Sequence, residues 1–353
     1  MKKWVIFLIV LSGFSWIWLW EREHSSFPYD DEQEGLQDHL VIRFSHVVAE
    51  HTPKGLAAQI FASLVHEKSN GAIKVEVYPN AMLYSDEEEI KALQKGDIEM
   101  IAPAFSKLTS LSPSWQVLDL PFIFKHEKEA NEALRGQLGE SLFNELKPLG
   151  IHGLAFWANG FKQMTNSVRP LKNPSDFQSL RFRTMPSPVI QRQFELLGAT
   201  TKAIPFNETY RFLYHGMLDG QENTISNIYT KKFYEVQPFI TISNHAYLGY
   251  AVLMNEAFWS RLTKEQQDII TEALAEATEW MEKQAEQMNK QQLDILKQDK
   301  TLYIHTLTES EKEEWKEKLQ PLYEEFLNEI EEPMLQYLPW FETKQLIKDM
   351  KHY

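Results

Sequence analysis

Between Gly249 and Pro321 the chain carries no glycine and no proline, and within that stretch Thr263 to about Lys297 is dominated by Glu, Gln, Ala, Lys and Leu. These residues lose little on entering a helix, so the segment predicts an unusually long one, placed within residues 258–300. A helix of about 35 residues is on the order of 50 Å long, more than one lobe of ordinary size covers. One helix running along two lobes satisfies this; two helices broken at a kink satisfy it as well. Length points the same way, because 353 residues exceed one compact core and suit two lobes of roughly 120 to 150 residues with extra helices. Two lobes imply a cleft between them.

The first part of the chain reads as alternating strands and helices. Leu40 to Phe44 is a short strand pattern, and Thr52-Pro53 places an N-cap and a helix-favouring proline before the apolar run Leu56, Ile60, Phe61, Leu64 and Val65. Gly71 closes that helix, Ile73, Val75 and Val77 alternate as a strand, and Met100 to Ala102 is a third strand. Between them, Ser85 to Glu88 forms a capping box for a helix that stops near Gly96. Such β-α-β-α-β order calls for a mainly parallel α/β sheet with helices on both faces and ligands beyond the carboxyl ends of the strands.

Leu154 to Trp157, followed by Asn159-Gly160, reads as a first crossing into the second lobe. There Arg181 to Met185 is a strand, Ser187-Pro188 caps a helix ending at Gly198, Thr201 to Pro205 is a strand, and Asn207 starts a helix ending at Gly216. Thr308 to Glu311 forms a further capping box, with Trp315, Leu319, Leu322 and Phe326 on one helical face. The expected layout is lobe 1 over 40–157, joined by part of 249–335, lobe 2 over 158–248, and C-terminal helices over 308–353.

A formal charge of −14 argues against nucleic acid as a partner, since neutralising phosphates needs a basic face. The absence of cysteine removes disulfides, thiolate nucleophiles and a lipid-modified cysteine. Met1 to Lys3 is basic, Trp4 to Trp20 is a nearly unbroken apolar run of 17 residues, and Glu21-Arg22-Glu23 comes next. We read residues 1–20 as a signal peptide or signal anchor that exports the rest of the chain, with Lys2 and Lys3 left inside. No alanine precedes Ala49 to supply a small-residue cleavage site, which favours a retained anchor over cleavage at Ser25 or Ser26. Residues 21–39, with seven acidic side chains and one arginine, suit a solvated linker.

The usual catalytic signatures do not occur. There is no phosphate-cradling glycine loop and no Gly-x-Ser-x-Gly elbow, and His66-Glu67 leads to Asn70 where a zinc protease needs a second histidine. No cofactor and no metal are expected. The carboxylate runs Asp86 to Glu89 and Glu311 to Glu314 sit at helix starts, where they complement the helix dipole. What remains is an anion receptor built on Leu180-Arg-Phe-Arg-Thr-Met185 and Asp219-Gly-Gln-Glu-Asn-Thr224. Arg183 offers a planar fork that matches a carboxylate, and Asn223 adds a neutral donor. On spacing alone, Arg181 and Arg183 serve equally well as surface charges on a strand.

Five separated motifs, in this order, carry a family resemblance: Val41 to Glu50 with Thr52-Pro-Lys-Gly55, Asn159-Gly-Phe-Lys-Gln-Met164, Leu180 to Met185, Asp219 to Asn223, and Lys232-Phe-Tyr-Glu-Val236. Over roughly residues 40 to 330 the chain resembles the solute-binding proteins of tripartite ATP-independent periplasmic (TRAP) transporters, in their dicarboxylate-binding branch. The resemblance implies a two-lobed, periplasmic-binding-protein-like α/β fold with a central cleft, crossed by one long helix. It places the ligand-gripping arginine at Arg183, a second ligand donor at Asn223, a second basic residue at Lys162 and an aromatic wall at Phe206. The function implied is capture of a C4-dicarboxylate such as malate, fumarate or succinate outside the membrane, without catalysis, for presentation to TRAP transporter subunits. The apolar lead leaves a second reading open, a tethered co-receptor for a sensor kinase or secondary carrier. His46, Thr52, Trp157 and Tyr250 are further candidates for the cleft wall.

Overall fold

Several helix starts marked in the sequence form as side-chain caps. Thr52 Oγ1 accepts the Gly55 N–H at 3.1 Å with Pro53 opening α1 (Pro53–Lys68), which follows β1 (Leu40–Ser45). The chain continues through β2 (Ile73–Tyr78), α2 (Glu89–Lys95) and β3 (Met100–Ile101), then α3 (Glu127–Arg135) and α4 (Gln137–Leu146), to the long strand β4 (Ile151–Asn166). Beyond it lie β5 (Arg181–Thr184), α5 (Pro188–Leu197), β6 (Thr200–Ala203), α6 (Thr209–Tyr214), β7 (Gly220–Asn223) and α7 (Ile225–Thr230). A second long strand, β8 (Phe239–Asn255), leads to α8 (Glu256–Arg261), α9 (Lys264–Leu296), β9 (Tyr303–Thr306) and α10 (Glu309–Leu327). Thr263 and Gln266 form a reciprocal capping box at the start of α9, and Gly96 and Gly198 end α2 and α5 in the left-handed conformation that glycine adopts without a Cβ penalty.

This computed structural model describes residues 39–327 and Tyr337. The expected signal or anchor over 1–20, nearly all of the 21–39 linker and the end of the C-terminal helices lie outside the described residues. Among the described residues, no helix is long and apolar enough to cross a membrane.

One sheet runs through the structure in the order β2-β1-β3-β8-β4-β7-β5-β6, with β9 added on β8. β1 and β3 are parallel, as are β5 and its neighbours β6 and β7. Between these two parallel halves stand β4 and β8, 16 and 17 residues long, paired antiparallel from Ile151↔Asn255 to Asn166↔Phe239. Their register slips at Gly153/Ala155, Ala158/Gly160 and Lys162/Met164. The short strand read at Leu154 to Trp157 is therefore the middle of β4, and the crossing at Asn159-Gly160 is an irregularity inside one continuous strand. β8 has no alternation to announce it because almost all of it is buried, as for strands covered on both faces.

α9 is a single helix of 33 residues, so the kinked alternative is not what forms. It buries the stripe Ile270, Ala273, Leu274, Ala277, Met281 and Ala285. Toward its start Glu276 pairs with Lys68 of α1 at 2.8 Å, and Thr278 accepts the Trp157 indole N–H at 2.9 Å. Toward its end Asn289 accepts the Ser226 N–H of α7 at 2.8 Å and donates to the Asn159 carbonyl at 2.7 Å.

The centre of the sheet is packed tightly where β8 passes Phe105. A Cβ built on Gly249 would lie 2.4 Å from the Phe105 ring, which is itself buried and packed against Trp115 and Phe156. Gly249→Ala is expected to cost about 1–3 kcal/mol through this overpacking, read as a lowered urea midpoint.

Candidate functional site

The parallel strands β5 and β7 carry Arg183 and Asn223 near their carboxyl ends, where such sheets present ligands. Arg183 is 2% exposed, and its Nε donates to the Ile204 carbonyl at 2.9 Å. That bond fixes the guanidinium plane and leaves the Nη edge, with its two parallel donors, as the part able to meet a carboxylate. Burial pulls the Arg183 pKa down and the Asp86 and Glu222 carboxylates oppose it; guanidinium remains a cation throughout. The Asn223 Oδ1 accepts from Asn227 Nδ2 at 2.8 Å and from the Thr224 N–H at 3.1 Å, so the N–H donors of its amide are the part that suits an anion. The Phe206 ring lies 5.9 Å from the guanidinium carbon, with Lys231 Nζ 5.4 Å from the same ring.

Arg183, Asn223 and Phe206 line one small cavity of ≈ 30 Å³ together with Asp86, Glu89, Lys107, Asn227 and Tyr250. Lys162 is not among them. It is 1% exposed, and its Nζ donates to Glu222 Oε1 at 2.5 Å. The other Glu222 oxygen, Oε2, accepts from His245 Nε2 at 2.8 Å, and Ser243 Oγ pairs with His245 Nδ1 at 2.7 Å. Burial alone would raise the Glu222 pKa; the Lys162 charge and the His245 hydrogen bond overcome it and hold the carboxyl at about 2. Lys162, expected as a ligand group, is placed outside the cavity lining, paired with a buried carboxylate one residue before Asn223. Arg181 and Arg183 also part company, since Arg181 is exposed and paired with Asp219 at 2.7 Å.

Three charged side chains of the wall were not among the site residues read from the sequence, where Asp86 and Glu89 figured only as helix-start charges. Lys107 Nζ pairs with Asp86 Oδ2 at 2.8 Å, both nearly fully buried, and that oxygen also accepts the Phe206 N–H at 3.3 Å. Asp86 thus ties the half of the sheet that carries β3 to the half that carries β6. Glu89 is fully buried, and burial pushes its pKa up to about 8 against the pull of Lys54. Both of its oxygens lack a hydrogen-bond partner among the described residues. Lys54, also fully buried, donates to the Ala102 carbonyl at 2.8 Å and sits 3.7 Å from the Tyr250 ring centroid, its pKa lowered to about 7 by burial. The signals existed. Lys107 follows the carboxyl end of β3, and Asp86 and Glu89, three apart, share one side of a helical turn while Glu87 and Glu88 are exposed.

Of the other cleft candidates, Tyr250 lines the cavity, and its hydroxyl oxygen accepts from Asn159 at 3.1 Å and Asn227 at 3.3 Å. Thr52 caps α1, Trp157 binds Thr278, and His46 is buried outside the lining. A larger depression of ≈ 950 Å³ lies among α3, α4, β4 and α9. Two of its cations, Arg135 and Lys283, already pair with Glu282 and Glu279, which makes it a poor receptor for an anion.

Against known proteins, the family model for bacterial extracellular solute-binding protein, family 7, matches residues 44–329. The chain belongs to this family. It is 54% identical over 298 residues to the C4-dicarboxylate-binding protein DctB of Bacillus subtilis, covering 84% of this chain and 85% of that one. It is 42% identical to the C4-dicarboxylate-binding periplasmic protein DctP of Rhodobacter capsulatus, covering 84% and 89%. Among solved structures, a TRAP periplasmic solute-binding protein from Shewanella oneidensis with bound succinate superposes with a TM-score of 0.83 at 37% identity, covering 86% of this chain and 99% of that one. A TRAP solute-binding protein from Pseudomonas aeruginosa with bound L-malate gives 0.79 at 36%, covering 81% and 99%. The fold is accordingly the two-lobed α/β fold of this family's solute-binding proteins.

Proposed function

We propose that this family member captures a C4-dicarboxylate, with malate, fumarate and succinate as the candidates, outside the cytoplasm and presents it to a TRAP-type membrane transporter. The observation that carries this reading is the buried Arg183 guanidinium, held by Ile204 with its Nη edge free for a carboxylate, beside Asn223 and Phe206 in one cavity. Arg183 and Asn223 grip one carboxylate, Phe206 walls the carbon chain, and Lys107, which unlike Lys162 lines the cavity, meets the second with the ammonium N–H donors that its pairing with Asp86 leaves over. Dicarboxylate-binding relatives and TRAP structures with succinate and malate support the same ligand class. They also favour delivery over a co-receptor role beside a sensor kinase. A family of solute-binding proteins supports capture without turnover.

Micromolar affinity would draw about −8 kcal/mol from roughly nine heavy atoms, near −0.9 kcal/mol per atom and below the ceiling of about −1.5. An open patch rarely reaches such efficiency; a cavity with walls from both halves of the sheet does. Titration calorimetry with succinate and its one-carboxylate counterpart butyrate tests the reading. Butyrate is expected to bind at least about tenfold more weakly, since it forgoes one charge-assisted contact. Equal affinities would rule out a site built for two carboxylates.

A further inference from the structure

Glu89 is a buried carboxyl lining an anion site, and neither of its oxygens has a hydrogen-bond partner among the described residues. As a carboxylate it is an acceptor only, and it would face the oxygens of a dianion with nothing to offer but repulsion. The charges around the cavity sharpen the conflict. Among the lining side chains Arg183 and Lys107 are cations and Asp86 an anion, and Lys54, packed behind the lining on Tyr250, adds a second net positive charge while it is protonated, up to the two that complement a dicarboxylate. An ionised Glu89 would remove one of them. Resting on the dicarboxylate reading above, we propose that Glu89 meets the ligand as an uncharged carboxylic acid, donating its O–H to a ligand oxygen, so that capture requires this proton.

A carboxylic acid donating to a carboxylate makes a short, charge-assisted hydrogen bond. The proton is already on Glu89 below about pH 8; above that it must come from solvent, one proton per ligand bound. Lys54, Lys107 and Asp86 act electrostatically on this carboxyl, and Arg183 and Tyr250 share its cavity. Lys54 must be separated from it, since Lys54 gives up its own charge above about pH 7. Glu89→Gln makes the separation: it keeps an N–H donor and cannot titrate.

Succinate is titrated calorimetrically into the full chain and into Glu89→Gln between about pH 7 and about pH 9.5. The wild-type affinity is expected to fall about thirtyfold more than that of the variant over this range. At about pH 9, heats in two buffers of different ionisation enthalpy should show wild type taking up nearly one proton more per succinate than the variant. Equal falls and equal uptake would overturn the proposal and leave Lys54 as the titrating group. Should the variant not fold, Lys54→Gln decides, since it keeps a donor for the Ala102 carbonyl and removes the other titrating group: uptake of nearly one proton per succinate at about pH 9 requires Glu89, and no uptake overturns the proposal. No binding of succinate, malate or fumarate at about pH 7 would instead overturn the dicarboxylate reading itself, and this proposal with it.

Discussion

Arg183→Ala is expected to weaken succinate binding by more than about 2 kcal/mol, on the order of thirtyfold or more, in titration calorimetry at neutral pH. The loss combines a missing charge-assisted pair with a ligand carboxylate desolvated against no cation. Because Arg183 is buried beside Asp86 and Glu222, the variant's thermal melt is recorded alongside to establish that it is folded. Arg183→Lys should also bind markedly more weakly than wild type. Lysine cannot hold the Ile204 carbonyl and present two parallel donors at once, as the guanidinium does. Unchanged affinity in the alanine variant would remove Arg183 from the site; equal affinity in the lysine variant would show that charge alone suffices.

Lys162→Met is expected to act on stability, at a cost of about 3–5 kcal/mol in urea unfolding, because it strands the buried Glu222 carboxylate. Adding Glu222→Gln should recover most of the loss, since the double variant leaves no uncompensated charge. A Lys162 that touched ligand would behave differently, losing binding while keeping most of its stability. The same pair sets an acid limit. The folded-state pKa of Glu222, about 2, lies below its ordinary value of 4.5. Its contribution is therefore complete above about pH 4.5 and is lost as pH falls toward about 2.

How far the chain could be read in advance depended on whether the deciding physics was local. Caps at Thr52, Ser187 and Thr308 and the stop at Gly198 follow from neighbouring residues, and they formed where the sequence placed them. α2 begins at Glu89, later than the Ser85 box implied: Ser85 and Glu88 do bond to each other, but across a turn that precedes the helix. Arg181 and Arg183 lie on one face of β5, separated by about 6.6 Å along the strand, and only their position relative to its carboxyl end divides surface from cleft. Lys162 shows the limit. Its basic character was evident, but the partner that claims it stands 60 residues away on β7, and pairing between two buried strands leaves no local mark. Nor does composition tell which of four consecutive acidic residues turns inward.

The union of α9 with both halves of the sheet has a mechanical consequence. Lys68 and Trp157 hold the helix just before its midpoint, Ser226 and the Asn159 carbonyl hold it in its last third, and the β4–β8 ladder beside it loses register at three points. A stiff rod lashed beside a ribbon with three weak joints resists stretching and yields to torsion. Gaping of the ligand cavity is then a change of angle at constant span, like a book turning about its binding, so a transporter docked across both covers would meet two surfaces whose separation along the rod never varies.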